Sequence, residues 1–168
     1  MGGDNVLVLM RIESDRLLLV PQTVTAARAL LVGDDPGIPL GRGYPHANTL
    51  DGLQITLQHA TSDVDLTAWF VTLATTGEVI GDIGTKGWVD VAGAVEIGYG
   101  LAAPYRGRGY GREMVMAAVL GLAAHPDVRR VTAEVRPDNV ASRHALERAG
   151  LRLDHEAGGY LYYALDVT

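Results

Sequence analysis

The chain contains no cysteine, which excludes disulfides, thiolate nucleophiles and cysteine-type zinc sites and leaves the redox compartment undecided. Long apolar runs are also missing. The longest, residues 114–124, is far too short to span a bilayer. No basic run offsets the formal net charge of -6 and the pI of about 5.2, so a nucleic-acid partner is not expected. The same sign suits a cationic small partner such as an amine. The histidines His46, His59, His125, His144 and His155 lack metal-ligand spacing, and no metal site is expected. Residues 1–6 carry no positive charge, Arg11 cuts the apolar run behind them, and Val6 stands where a myristoylation signal has Ser or Thr. A soluble cytoplasmic protein without a membrane partner is the expectation. No repeat, low-complexity tract or linker divides the 168 residues, so a single domain over 1–168 is expected.

What is there has an ordinary globular balance, 48% apolar and 20% charged. Residues 14–20 read as a strand stopped by Pro21. A short helix over 23–32 is capped by Thr23 and closed by Gly33. Over 34–49, Gly37, Gly41 and Gly43 alternate with Pro36, Pro39 and Pro45, a long loop of the kind that shapes a substrate pocket. A second helix is expected over 51–60. Strands over 66–74 and 78–89 meet at a hairpin turn, Thr75-Thr76-Gly77. Over 95–101, Val95, Ile97, Tyr99 and Leu101 alternate with Glu96, Gly98 and Gly100, leaving one face open. The clearest helix carries Met114, Val115, Ala118, Val119 and Leu122 as one stripe and ends at His125-Pro126. A strand over 130–135 follows, then a helix capped by Asp138 or Asn139 and stopped at Gly150. Residues 151–154 and 160–165 pair around Gly158-Gly159. This order predicts a mixed α/β (α+β) fold with a mainly antiparallel sheet.

The segment Arg106-Gly107-Arg108-Gly109-Tyr110-Gly111-Arg112 joins a strand to a helix. Backbone N–H groups and the positive end of the helix then converge on one point, which favours an anion. Glycine lets the backbone approach phosphate oxygens, and arginine offers them a planar two-donor fork. A nucleotide P-loop fails, because Gly111 is followed by Arg112 and Glu113 rather than Lys and Ser or Thr. A dinucleotide fingerprint fails because Arg112 stands at its third glycine. A plain glycine-rich connector with solvated arginines stays open on these residues alone.

Arg106-x-x-Gly109-x-Gly111, following Glu96-Ile97-Gly98-Tyr99-Gly100-Leu101, resembles the Gln/Arg-x-x-Gly-x-Gly/Ala motif of the GNAT N-acetyltransferases. Asn139-Val140-Ala141-Ser142, closing at Glu147-Arg148-Ala149-Gly150-Leu151, resembles the second conserved helix of that family. Ser14-Asp15-Arg16-Leu17-Leu18-Leu19 resembles the opening strand of the branch that acetylates ribosomal-protein N-termini. The resemblance implies a splayed central sheet flanked by helices, with acetyl-CoA as co-substrate and a primary amine as acceptor, either a protein N-terminus or a small molecule. It implies that pantetheine pairs with backbone at Tyr99, Gly100 and Leu101, and that Arg106, Gly107, Arg108, Gly109, Tyr110, Gly111 and Arg112 surround the pyrophosphate. Asn139 would bond the pantetheine arm, with Ser142 and Arg143 near the thiol or the nucleotide.

Many members carry a tyrosine acid seven positions after that asparagine, where this chain has Leu146. Ser142 is the expected substitute, with Tyr160, Tyr162 and Tyr163 in reserve. The Leu101 amide is expected to meet the oxyanion. Glu96 is the expected general base, a role that Asp82 on the neighbouring strand shares or replaces. His46 reaches substrate only if its loop does. A homodimer is left open, as is a non-catalytic acyl-CoA sensor.

Overall fold

The computed structural model describes residues 7–63 and 66–167. Residues 1–6, from which the absence of a targeting signal was read, lie outside the described residues. In chain order the elements are β1 (Ile12–Glu13), β2 (Leu17–Pro21), α1 (Val24–Val32), α2 (Ala47–Leu57), β3 (Ala68–Leu73) and β4 (Val79–Thr85). They continue with β5 (Ala94–Leu101), a 3₁₀ turn (Ala103–Tyr105), α3 (Tyr110–Ala123), β6 (Arg130–Val135), α4 (Val140–Arg148), β7 (Arg152–Ala157) and β8 (Tyr160–Asp166). The strands form one eight-stranded sheet ordered β1-β2-β3-β4-β5-β6-β8-β7.

Every strand pair is antiparallel except β5 with β6. That parallel ladder is short: Ala94 pairs with Arg130, Val95 with Val131 and Glu96 with Thr132. Beyond Glu96 the two strands part, while β6 stays paired with β8 as far as Val135 opposite Leu161. The sheet is therefore splayed at its centre, as the resemblance implied.

Alternation along the strands sorts side chains between two cores. On one face Leu17, Leu19, Trp69, Val71, Ile83, Ile97 and Val131 pack against Met114, Val115, Ala118 and Leu122 of α3 and Leu146 of α4. On the other, Phe70 and Val79 pack against Leu30 of α1 and Leu53 of α2. Each such buried side chain stabilises the fold by roughly 1.5–3 kcal/mol. This second core stops short of β6, where Glu96, Thr132, Glu134 and Tyr162 stay partly exposed.

Element boundaries depart from the sequence pattern where side chains bond locally. The first predicted strand begins only at Leu17, because the Ser14 amide and hydroxyl both donate to the Leu17 carbonyl and turn the chain. The added strand β1 pairs Ile12 with Leu19. Helix α2 starts at Ala47 rather than Asp51, since His46 Nδ1 accepts from the Thr49 amide and caps it early. The strand predicted to reach residue 89 ends at Thr85, and β7 continues past residue 154 to Ala157.

Candidate active site

Helix α3 begins directly after Gly109, whose φ of 83° is left-handed, a conformation costly for any residue with a Cβ. The first-turn amides of Tyr110, Gly111 and Arg112 have no partner inside the helix and point where an anion is favoured. Gly107 is also left-handed, and Arg106, Arg108 and Arg112 lie exposed around the turn.

The sequence did not disclose what holds this loop. Arg16, at the entry to β2, donates from its backbone to Glu113 Oε1 at 2.7 Å and from Nε to Oε2 at 2.8 Å. Ser14 Oγ adds a 2.7 Å bond to the same carboxylate. Nη1 of Arg16 donates to the Arg108 carbonyl at 2.9 Å, and its guanidinium lies 4.5 Å from the Tyr110 ring centre. Residues about a hundred positions apart thus clamp both ends of the turn. Arg106 is turned inward: its Nε donates to the Leu101 carbonyl at 2.9 Å, so it braces the end of β5 as well as edging the loop.

The split between β5 and β6 exposes backbone selectively. The Ala102 amide donates to Ile80 and the Glu96 carbonyl accepts from Lys86, both on the β4 side. By alternation, the polar groups of Gly98 and Gly100 also face β4, and those of Ile97, Tyr99 and Leu101 face the split. Gly100 therefore does not offer its backbone to a ligand there, contrary to the expectation. The Tyr99 backbone and the Leu101 amide face the split.

Asn139 caps α4 through a 3.1 Å bond from the Ser142 amide to Oδ1. Ser142 Oγ lies 2.7 Å from the Tyr99 hydroxyl, which is also 3.2 Å from the Ser142 carbonyl. Burial pushes the Tyr99 phenol up to about 12, with the Ser142 bond pulling the other way. A cleft of about 270 Å³ runs here, lined by Tyr99, Asn139, Ser142, Tyr160, Lys86 and Glu134 among others. Leu146 is fully buried and takes no part. Of the reserve tyrosines, Tyr163 is buried with its hydroxyl donated to Glu147, Tyr162 donates to Glu134, and Tyr160 reaches the cleft. Arg143 donates to the Pro137 carbonyl at 3.1 Å and approaches the Tyr163 hydroxyl at 3.5 Å, which ties it to the loop before α4 and to β8.

On the opposite face of β5, Glu96 is paired with Lys86 at 2.7 Å. Asp82 stands opposite Gly100 on β4 and accepts from Thr49 Oγ1 at 2.6 Å. Burial raises its pKa; the Thr49 bond, the His46 charge and the nearby Tyr44 hydroxyl oppose that rise. A larger hollow of about 370 Å³ lies elsewhere, beside β7 and β8. Its acids Asp154 and Asp166 are already engaged by Arg130, so it offers no comparable chemistry. Among the described residues no cluster of acids and histidines could hold a metal ion, and no helix is long and apolar enough to cross a membrane.

A family model for the acetyltransferase (GNAT) domain matches residues 16–152. An uncharacterised N-acetyltransferase of Bacillus subtilis, YjdG, is 28% identical over 96 residues, 57% of this chain and 57% of that protein. The match thus spans little more than half of that relative's length. Among solved structures, a GNAT acetyltransferase from Bacillus anthracis superposes with a TM-score of 0.67 at 17% identity, covering 94% of this chain and 99% of that one. The ribosomal-protein-S5-alanine acetyltransferase of Vibrio fischeri does so with a TM-score of 0.62 at 16% identity, over 94% and 96% of the two chains. The splayed sheet, the glycine turn at α3 and a family match over most of the chain agree: this protein belongs to the GNAT family of acetyltransferases, enzymes that take an acyl group from acetyl-CoA.

Proposed function

We propose that the chain transfers the acetyl group of acetyl-CoA to a primary amine, a protein N-terminus or a small molecule, by direct attack in a ternary complex. One observation carries this reading above the others: the anion-favouring turn at Gly109 follows a strand whose Tyr99 backbone and Leu101 amide face the split, with Ser142 across it. Pyrophosphate on the α3 amides and pantetheine along β5 would bring the thioester beside Ser142. Asn139 bonds the pantetheine arm from its cap position, and Arg106, Gly107, Arg108, Gly109, Tyr110, Gly111 and Arg112 frame the phosphates.

The chemistry follows from these positions. The Leu101 amide faces the split and meets the oxyanion as the amine adds to the carbonyl. Either hydroxyl can donate in the Tyr99–Ser142 contact; when Tyr99 is the donor, the serine proton is free to meet the departing sulfur. The amine's proton goes to a carboxylate on the other face of β5, where Glu96 and Asp82 stand. The net charge of -6 favours a cationic acceptor and disfavours nucleic acid. A cytoplasmic setting without a membrane partner belongs to the same proposal and rests on sequence pattern alone.

The competing reading is an acyl-CoA sensor without turnover, favoured by Leu146 in place of the tyrosine acid. Mixing the protein with acetyl-CoA and a set of primary amines decides between them. Thiol release with a mass gain of one acetyl group on an amine supports transfer. Tight acetyl-CoA binding with no release above background supports the sensor.

A further inference from the structure

Tyr44, His46, Thr49 and Asp82 form a polar group at the edge of the second apolar core, all on the face of the sheet covered by α1 and α2. Strand register sets Asp82 opposite Gly100. Thr49 Oγ1 donates to Asp82 Oδ2 at 2.6 Å, which fixes that oxygen. The Cε1–Nε2 edge of the His46 ring lies against the bare Cα of Gly100, where a Cβ would come within 2.8 Å of both atoms. His46 Nδ1 accepts from the Thr49 amide, which places the proton of the neutral ring on Nε2. The Tyr44 hydroxyl is buried and lies close enough to Asp82 for that charge to raise its pKa, yet its geometry gives it no hydrogen bond.

A carboxylate held this way costs desolvation that an apolar side chain would not, and the second core does not need it for packing. Its position is useful in another way. Its strand partner Gly100 adjoins Leu101, whose amide faces the split. Glu96 lies five residues back from Leu101, about 17 Å along the strand, where β5 and β6 are still paired, and Lys86 already engages it.

Resting on the acetyl-transfer reading, we infer that Asp82 is the general base for the acceptor amine, held by Thr49 and His46 as positioning residues, with Glu96 at the entrance. The neutral amine nitrogen attacks the thioester carbon and an N–C bond forms. Asp82, directly or through one water, takes the proton from the now positive nitrogen. The adduct collapses, the C–S bond breaks and its electron pair leaves on sulfur. The coenzyme A thiolate takes a proton from solvent beside Ser142, and Asp82 returns its own to solvent, so no net proton is left on the protein.

The test compares Asp82→Asn, Thr49→Val and Glu96→Gln with the wild type. The acceptors are a peptide with a free N-terminal alanine, spermidine and an aminoglycoside, with basal acetyl-CoA hydrolysis as the readout if none reacts. Asp82→Asn is expected to lower kcat/KM for the acceptor about 100-fold and to erase the acid limb of the pH profile. Acetyl-CoA affinity by calorimetry should stay within about twofold, because Asp82 lies off the pyrophosphate turn. Thr49→Val removes a bond that lowers the Asp82 pKa and is expected to move the acid limb up by about half a unit to one unit. It carries the test alone if Asp82→Asn does not fold. An unmoved acid limb in either variant overturns the assignment, and loss of the limb in Glu96→Gln alone gives the role to Glu96. Wild-type protein that binds acetyl-CoA but releases no thiol under any condition overturns acetyl transfer itself, a result distinct from failure of Asp82 alone.

Discussion

The Tyr99 hydroxyl lies 2.7 Å from Ser142 Oγ and ties β5 to α4 across the split in the sheet. If Ser142 meets the sulfur and Tyr99 only orients it, their removal will not add. Ser142→Ala should lower kcat about tenfold, the worth of one hydrogen bond made in the transition state. Tyr99→Phe should cost less, and the double variant no more than Ser142→Ala alone. Thiol release in single turnovers checks this; additive losses would separate the two residues.

Arg16 acts on the donor without facing it. Its bonds to Glu113 and the Arg108 carbonyl hold the turn from behind. Arg16→Met keeps an unbranched stem but removes the charged fork. Charge-assisted bonds of this kind are worth about 1.5–3 kcal/mol, shared here between folding and loop order. An acetyl-CoA Kd raised about tenfold, with kcat at saturation nearly unchanged, is the expected result by calorimetry and steady-state kinetics.

These two residues also show what could be read from the chain. The cap of α4, read as Asp138 or Asn139 and found at Asn139, and the helix start near Gly109 are local signals, written within a few positions. The Arg16–Glu113 clamp joins positions 97 apart and Thr49–Asp82 joins positions 33 apart. No periodicity records such pairs. Gly100 was misread for a related reason: which way a strand's amides point depends on its neighbour's register. The capping role of His46 was not read because histidine is an uncommon cap, so the loop was drawn too long.

Gly109 and Gly111 should respond differently to alanine. At Gly109 the backbone is left-handed and a Cβ would meet Arg16 Nη2 at 3.2 Å, so Gly109→Ala should strain the turn by about 1–2 kcal/mol. At Gly111 the nearest atom is Ala145 Cβ at 3.6 Å, an ordinary contact. Gly111→Ala should leave the melting temperature near wild type, and any loss of acetyl-CoA affinity then reports crowding of the phosphate alone. Equal destabilisation of both variants by thermal melting would contradict the geometry.

Glu113 predicts one pH dependence of stability. Burial would raise its pKa, but bonds from Ser14, the Arg16 backbone and the Arg16 guanidinium outweigh it and lower the value. A lowered folded pKa contributes stability above the unfolded value of about 4.3, lost as pH falls through the folded pKa. Glu113→Gln should melt below wild type near neutral pH, and the gap should close in acid. A gap independent of pH would assign the loss to packing instead.

Asp82 predicts the opposite slope. Burial raises its pKa against the bond from Thr49 and the influence of His46 and Tyr44. A raised folded pKa favours the fold below the unfolded value of about 3.9, and that contribution is lost as pH rises through the folded pKa. Near neutral pH the ionised group is therefore a burden on the fold. Asn at this position still accepts from Thr49 Oγ1 and carries no charge. Asp82→Asn should melt above wild type at neutral pH, because the substitution removes the buried charge. The difference should shrink toward zero in acid, where the wild-type carboxyl is itself neutral. Melting curves across pH, run beside the kinetics, check both parts. A variant that gains stability while losing turnover would mark Asp82 as a residue kept for chemistry at the fold's expense, whereas a loss of both would make it structural.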